Sequence, residues 1–323
     1  MANIRHLKSG FPDLYDANIR TAWKEGWNGE TEYTDFYLVD DITSEYDAYT
    51  QVTGFGSWQQ KALGENVAYA SIQAGYNCKI TPATYSLAYT VEEETMEDDP
   101  HSILGMGLST ALGEAGQDTI EIIAAAPFNA CSNGVTTAFS PWQTSTSSTA
   151  VDSSPDGKCF LAIDHPIVTG GSYANRPATP CSLSQAAIAA SKLRLQKMQG
   201  AHGQSWSLKG ESLVVPPDLE QMADEILLSK TRAYTTDQTA NIVANGLTRK
   251  TWSRITGATS WFVFAKKASK PGMKGFGTVA KWRVKPTFQR DNEFQSGDRR
   301  YKGRFRFGVG YYDWRGIDGS VGA

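Results

Sequence analysis

The chain has few cysteines. Cys78, Cys131, Cys159 and Cys181 are the four in 323 residues, and no two form a Cys-x-x-Cys pair. Their spacings fit neither a zinc site nor a dense disulfide framework, so reduced, buried thiols are expected. Histidine is as sparse. His6, His101, His165 and His202 are scattered, without the His-x-x-x-His spacing of a metal site. Asp164 precedes His165, but neighbours in a strand point to opposite faces, which favours a structural histidine. A Walker A loop and a Gly-x-Ser-x-Gly elbow are both missing. Gly105 and Gly107 lack the third glycine of a dinucleotide fingerprint. No acid, base and nucleophile stand together, so the chain reads as a non-enzyme with no catalytic residue, cofactor or metal.

Long apolar runs are missing too. The longest, residues 120–128, is broken by Glu121 and falls far short of the ~20 residues that span a bilayer. Residues 1–12 are polar and lack the apolar core of a signal peptide. Neither a membrane nor export by that route is expected. Charge of one sign is missing from the whole chain, whose net charge is −3, but not from its parts. Residues 249–315 hold 17 Lys/Arg against 4 Asp/Glu, and residues 92–99 hold six acids. A chain with an acidic part and a basic part can dock on copies of itself, or bind a polyanion with its basic part.

Aromatic residues are abundant at 11%, with 9 Trp and 14 Tyr, and that surface needs a core or a partner to cover it. The densest stretch is residues 298–314. Tyr301, Phe305, Phe307, Val309 and Tyr311 share one parity, while Arg300, Lys302, Arg304 and Arg306 share the other. That period of two predicts a strand with an aromatic face and a basic face. Residues 279–284 predict another strand.

Earlier in the chain, residues 14–23 predict a helix with Asp13 as its cap. The aromatics of residues 1–50, among them Trp23, Trp27, Tyr33, Phe36 and Tyr37, show no core pattern of their own, so a neighbouring surface is expected to cover them. Runs at 66–72 and 85–91 predict a long hairpin, with apolar residues on the odd positions of the second. Such a hairpin is marginal alone in water. Residues 97–123, continuing to 129, predict the main helix, ended by Pro127. Its glycines, Gly105, Gly107, Gly113 and Gly116, make sense where another backbone packs close. Residues 132–157 are low in complexity and cannot support a core. A strand at 159–163 and a helix at 182–199 follow, the helix with an apolar stripe of Leu183, Ala187, Ala190, Leu193 and Met198. Leu213-Val214-Val215 predicts a short buried strand, stopped by Pro216-Pro217 before a helix to Leu228. Residues 261–267 predict a core strand and 268–277 a glycine-rich loop.

Two stretches carry a resemblance. Residues 292–316, with Asn292, Asp298, Arg300, Tyr301, Arg304 and the run Tyr311-Tyr312-Asp313-Trp314-Arg315-Gly316, resemble the C-terminal end of HK97-fold major capsid proteins of tailed bacteriophages. The strand–Pro-Pro–helix unit at 213–220 resembles the entry to that fold's central A domain. The resemblance implies an α+β chain in the order of that fold: an N-terminal arm (1–50), an extended hairpin loop (51–95), a peripheral P domain with a long spine helix (96–157), mainly A domain (158–277, with the helix 182–199 at the junction), and C-terminal strands completing the P domain (278–323). It also implies self-assembly into hexamers and pentamers of an icosahedral shell around double-stranded DNA. The expected partners are other copies of the chain, a portal, a separate scaffolding protein, a cement protein, and packaged DNA in weak non-specific contact. The expected location is the virion, after assembly in the host cytoplasm. Contact residues between subunits are expected among Trp23, Trp27, Phe55, Trp58, Tyr76, Glu92, Glu93, Glu94, Arg300, Arg304, Arg306 and Trp314. A protein nanocompartment of the same fold and a basic nucleic-acid-binding β-rich protein are the alternatives.

Overall fold

The computed structural model describes residues 12–29, 31–67, 69–70, 72–92, 94–95, 98, 106–131, 156–229, 241, 246–270, 273–275, 277–293, 295 and 297–322. In chain order the elements are α1 (Pro12–Trp27), a 3-10 turn (Tyr33–Asp35), β1 (Leu38–Asp41), β2 (Asp47–Val52), β3 (Ala74–Ile80), β4 (Ala83–Val91) and α2 (Leu108–Asn129). There follow β5 (His165–Pro166), β6 (Ser172–Tyr173), α3 (Gln185–Lys197), β7 (Gly210–Val215), a second 3-10 turn (Pro217–Leu219) and α4 (Glu220–Leu228). The last elements are β8 (Thr248–Thr251), β9 (Trp261–Ala265), β10 (Ala268–Lys270), β11 (Met273–Gly275), β12 (Thr278–Asn292), β13 (Arg299–Tyr311) and β14 (Ile317–Ser320). The chain divides into two compact units, one of Met1–Thr31, Pro82–Ile122 and Trp282–Phe307, the other of the remainder.

The first unit is built on the alternation in β13. Its odd positions from Tyr301 to Phe307 point inward and its even positions from Arg300 to Arg304 are exposed, with Arg306 half-buried. β4 pairs antiparallel with it, Val91 opposite Arg299 and Ala83 opposite Phe307. Aromatic rings meet across this register. Tyr89 stacks on Tyr301 at 5.0 Å and Tyr85 on Phe305 at 5.3 Å, the cross-strand pairing that stabilises sheets. α1 covers this face with Ile19 against Val91 and Tyr301, and with Trp23 stacked on Phe288 at 5.6 Å.

α2 and α1 meet backbone to backbone. A Cβ at Gly113 would stand 2.5 Å from the Trp23 carbonyl oxygen and 2.8 Å from the Trp27 nitrogen, and one at Gly116 would enter the Trp27 ring. This is the close approach expected of the helix glycines. Gly107 has no such neighbour, and Gly105 lies outside the described residues. So do residues 97 and 99–105 at the expected start of the helix, and Asp98 between them is not helical. Pro127 sits inside the last turn, and the helix ends two residues later.

The second unit holds a sheet in the order β14-β9-β7-β8. β7 runs parallel to β8 and antiparallel to β9, and β14 closes the edge antiparallel to β9. Every residue of β9 is buried, because both of its faces are covered. Trp261, Val263 and Ala265 pack with Leu183, Ile188 and Leu195 around α3 and with Ala223 and Ile226 of α4. Phe262 and Phe264 face the other way, each within 6 Å of the Phe128 ring.

Five expectations change. The hairpin pairs β2 with β3, Asp47 opposite Ile80, and residues 85–91 pair with β13 instead. Four of the aromatics in the first fifty residues are covered from within: Trp23, Tyr33, Phe36 and Tyr37 are buried, and Phe36 stacks on Trp252 at 4.6 Å, while Tyr46 is exposed. Distant segments supply that cover, and local periodicity cannot show it. Residues 159–163 form no strand. Phe160, Leu161 and Ala162 are buried there through single bonds, such as Leu161 N–H to the Cys131 carbonyl at 3.1 Å. The buried residues within α3 are Ile188, Ser191 and Leu195; of the expected stripe, Leu183 and Met198 are buried and Ala187 packs on the core, while Leu193 and Ala190 are exposed. Ser184 caps that helix, accepting from the Ala187 N–H. β10 and β11 pair within the stretch expected as a glycine loop.

Candidate functional site

The feature that stands out chemically is the loop between β2 and β3. Its base is tied down by polar contacts. Thr53 closes it, donating N–H to the Gln73 carbonyl at 3.2 Å and its hydroxyl to the same oxygen at 3.0 Å. Gln51 donates to Asp313 at 3.0 Å. Below it, Lys281 reaches Asp47 at 2.8 Å and Asp40 at 3.0 Å, and the Tyr312 hydroxyl donates to Asp47 at 2.6 Å. Tyr49 packs on the Tyr312 ring at 4.6 Å. Burial, then the hydrogen bond and charge of Asp47, push the Tyr312 phenol far above the ordinary tyrosine range. Lys281 is only 7% exposed and is paid for by two carboxylates.

Beyond this base the loop carries apolar side chains into solvent. Trp58, Leu63 and Tyr69 are 100%, 107% and 97% exposed, and Phe55, Val67 and Ile72 are more than half exposed. The described residues of 53–73 form no helix or strand. Six large apolar residues in 18 positions exceed the isolated exposed side chains of an ordinary surface. Covering Trp58 and Tyr69 alone removes some 400 Å² from water, a gross gain of about 10 kcal/mol before ordering costs.

A second surface is the outer face of the first unit's sheet. Arg300, Lys302 and Arg304 stand in an exposed row along β13, with Arg306 half-buried at its end. Their cross-strand neighbours on β4 are Thr90, Ala88, Ser86 and Thr84. Small neutral residues therefore leave the basic row accessible from one side. Arg300 pairs with Glu293.

The expected contact residues divide accordingly. Phe55 and Trp58 lie on the exposed loop, and Tyr76 is half-buried on β3 with its hydroxyl 3.3 Å from the Pro166 carbonyl. Glu92 and Glu94 are exposed, and Glu93 lies outside the described residues. Trp23 and Trp314 are spent inside the chain. Trp23 lies under Phe288, and Trp314, 3% exposed, is stacked on His165 at 4.0 Å. Trp27 is half-buried against Trp23 and Phe305. Leu63, Val67, Tyr69 and Ile72 were not among the expected contacts; the last three fell within the strand expected at 66–72.

Among the described residues no cluster of His, Cys, Asp and Glu suits a metal ion, and no helix is long and apolar enough to cross a membrane.

A protein-family model described as "Phage capsid protein" matches residues 79–317. Among solved structures, the capsid of Myoviridae phage XM1 aligns over 91% of this chain and 92% of its own, at 11% identity and a TM-score of 0.52. The capsid of Ralstonia phage GP4 aligns over 90% and 86%, at 11% identity and 0.52. The capsid of a native GTA particle aligns over 92% and 93%, at 14% identity and 0.52. At these identities the likeness is one of fold, and that fold is the HK97-like one. No curated protein sequence matches the chain.

Proposed function

The chain belongs to the phage capsid protein family, and from that premise we propose that it builds its shell through the loop 53–73, which lies over a neighbouring subunit. The protein is a major capsid protein, a structural subunit of the virion shell. Its copies assemble into hexamers and pentamers of an icosahedral lattice around double-stranded DNA. The observation that carries the loop's role is the set of exposed apolar side chains above a polar, well-anchored base. A rigid base with an apolar reach gives a contact that forms only when a second surface arrives. Each contact need not be strong, since every subunit makes several and closure of the lattice multiplies them.

The basic row on β13 and the acidic stretch around Glu92 and Glu94 orient neighbours and resist wrong registers. Assembly takes place in the host cytoplasm with a separate scaffolding protein and a portal, and a cement protein decorates the finished shell. DNA contact is weak and non-specific, in keeping with the net charge of −3. The test replaces Phe55, Trp58 and Tyr69 with serine together. Thermal melting of the unassembled chain stays unchanged, and particle yield by sedimentation collapses. Particles formed at the normal yield would refute the role given to the loop.

A further inference from the structure

His165 is buried to 0% exposure and is not used by any assembly surface described above. Its surroundings fix its protons. Asn175 donates from Nδ2 to the Phe160 carbonyl at 2.8 Å, and its Oδ1 accepts from the Ala162 N–H at 2.9 Å. Turning that amide over would set donor against donor and acceptor against acceptor, so its orientation is determined by two backbone groups at once. The same Oδ1 lies 3.1 Å from His165 Nε2. It can only accept there, so Nε2 carries a proton. On the other side of the ring, Nδ1 lies 2.6 Å from Asp156 Oδ2, and both side chains are fully buried. A contact this short is of the charge-assisted kind. The ring also lies flat on Trp314, 4.0 Å between centroids and 7° between planes, a geometry that favours a cation over the indole face.

We infer that His165 is held as a doubly protonated imidazolium paired with Asp156, and that this pair clamps the segment 313–320 onto residues 156–175. The clamp has three points. Trp314 is held by the ring stack, the Gly319 N–H donates to the Asn175 carbonyl at 3.1 Å, and the Nε2 bond ties His165 to Asn175 beside the two backbone groups that already hold that amide. Every residue of 313–320 is buried. Loss of the Nδ1 proton would set a buried carboxylate against an imidazole lone pair, with no water to relieve it. Two charged neighbours are paired, and a third, Arg176, follows Asn175 with its buried Nε unbonded. Arg315, 4.8 Å from the Trp314 ring, is paired with Asp313 at 2.8 Å, and Lys158 is paired with Asp164 at 2.5 Å. Tyr76 adds a phenol near Asp156 and Arg315.

The experiment is nitrogen-15 NMR of the full chain with labelled histidine, read together with amide exchange of residues 313–320. At neutral pH both ring nitrogens of His165 show protonated signals, and Asp156→Asn, which keeps a polar partner of the same shape, returns one nitrogen to the unprotonated range. Exchange in 313–320 then quickens about tenfold in that variant relative to the wild type at the same pH. A wild-type ring with one unprotonated nitrogen at neutral pH overturns the assignment. Exchange that does not follow the ring proton overturns the clamp.

Discussion

Replacing Gly113 with alanine sets two physical effects against each other. Helix propensity alone favours the change by about 1 kcal/mol, since Gly113 lies within α2. The packing opposes it. The new Cβ would lie 2.5 Å from the Trp23 carbonyl oxygen, 2.8 Å from the Trp27 nitrogen and 3.0 Å from the Gly26 carbonyl carbon. All three are backbone atoms of α1, so no side-chain rotation relieves the clash. The helices must part by roughly 1 Å along the contact, and overpacking of that order costs about 1–3 kcal/mol in a close-packed interior. Parting them also loosens the Trp23–Phe288 stack that seals the sheet. The net expectation is a loss of up to about 2 kcal/mol, read as a drop in melting temperature of a few degrees for the unassembled chain. Gly107→Ala is the control. A Cβ there meets nothing within 4 Å, so that variant is neutral or slightly more stable. A Gly113→Ala protein as stable as the Gly107→Ala one would refute the close-approach argument.

Other consequences follow from the buried charges. Burial raises the Asp318 carboxyl from 3.8 to about 6, against the opposing pull of Arg194, which binds it through two bonds of 2.7 Å. The folded state thus holds that proton more tightly than the unfolded state. This group's contribution is fully present below pH ~4 and is lost as pH rises through about 6. Asp318→Asn should remove that dependence, a difference of up to about 3 kcal/mol across the window. Matched denaturation curves of wild type and variant from pH 4 to 7 test it, and parallel profiles would contradict the shift. Lys281→Met should cost about 2–3 kcal/mol in a urea titration, because it leaves Asp40 and Asp47 facing each other at the base of the loop, discounted for their partial exposure. A loss below about 0.5 kcal/mol would mean that water had replaced the lysine without penalty.

The strands were the most legible part of the sequence. β13 announced itself because an alternating strand keeps its aromatic and basic residues in register along one line. The run Leu213–Val215 before Pro216-Pro217 was equally plain, since a buried run and a proline stop are both local signals. The glycines of α2 could be read as a close approach, and Gly113 and Gly116 are one, although the sequence does not say that α1 is the partner. What could not be read was pairing between distant segments. β4 has the alternation of a hairpin strand, yet its partner lies more than two hundred residues away, and nothing local distinguishes the two cases. The aromatics of the first fifty residues looked unsheltered for the same reason. Leu193 and Ala190 fitted a helical stripe as well as Ile188 and Leu195 did, and only the position of the sheet decides between the faces. The exposed loop was half legible: Phe55 and Trp58 were expected at a contact, whereas Val67 and Tyr69 were hidden by a strand that does not form. The proposed role of the loop involves a second copy of the chain, so one sequence states its chemistry but not its geometry.

The most direct test of the account is electron microscopy of particles from the chain expressed alone and then together with the genes that flank it. The account predicts closed icosahedral shells, or rings of six subunits, with the loop 53–73 of each subunit seated on the next. A protein that stays a clean monomer under both conditions would contradict it.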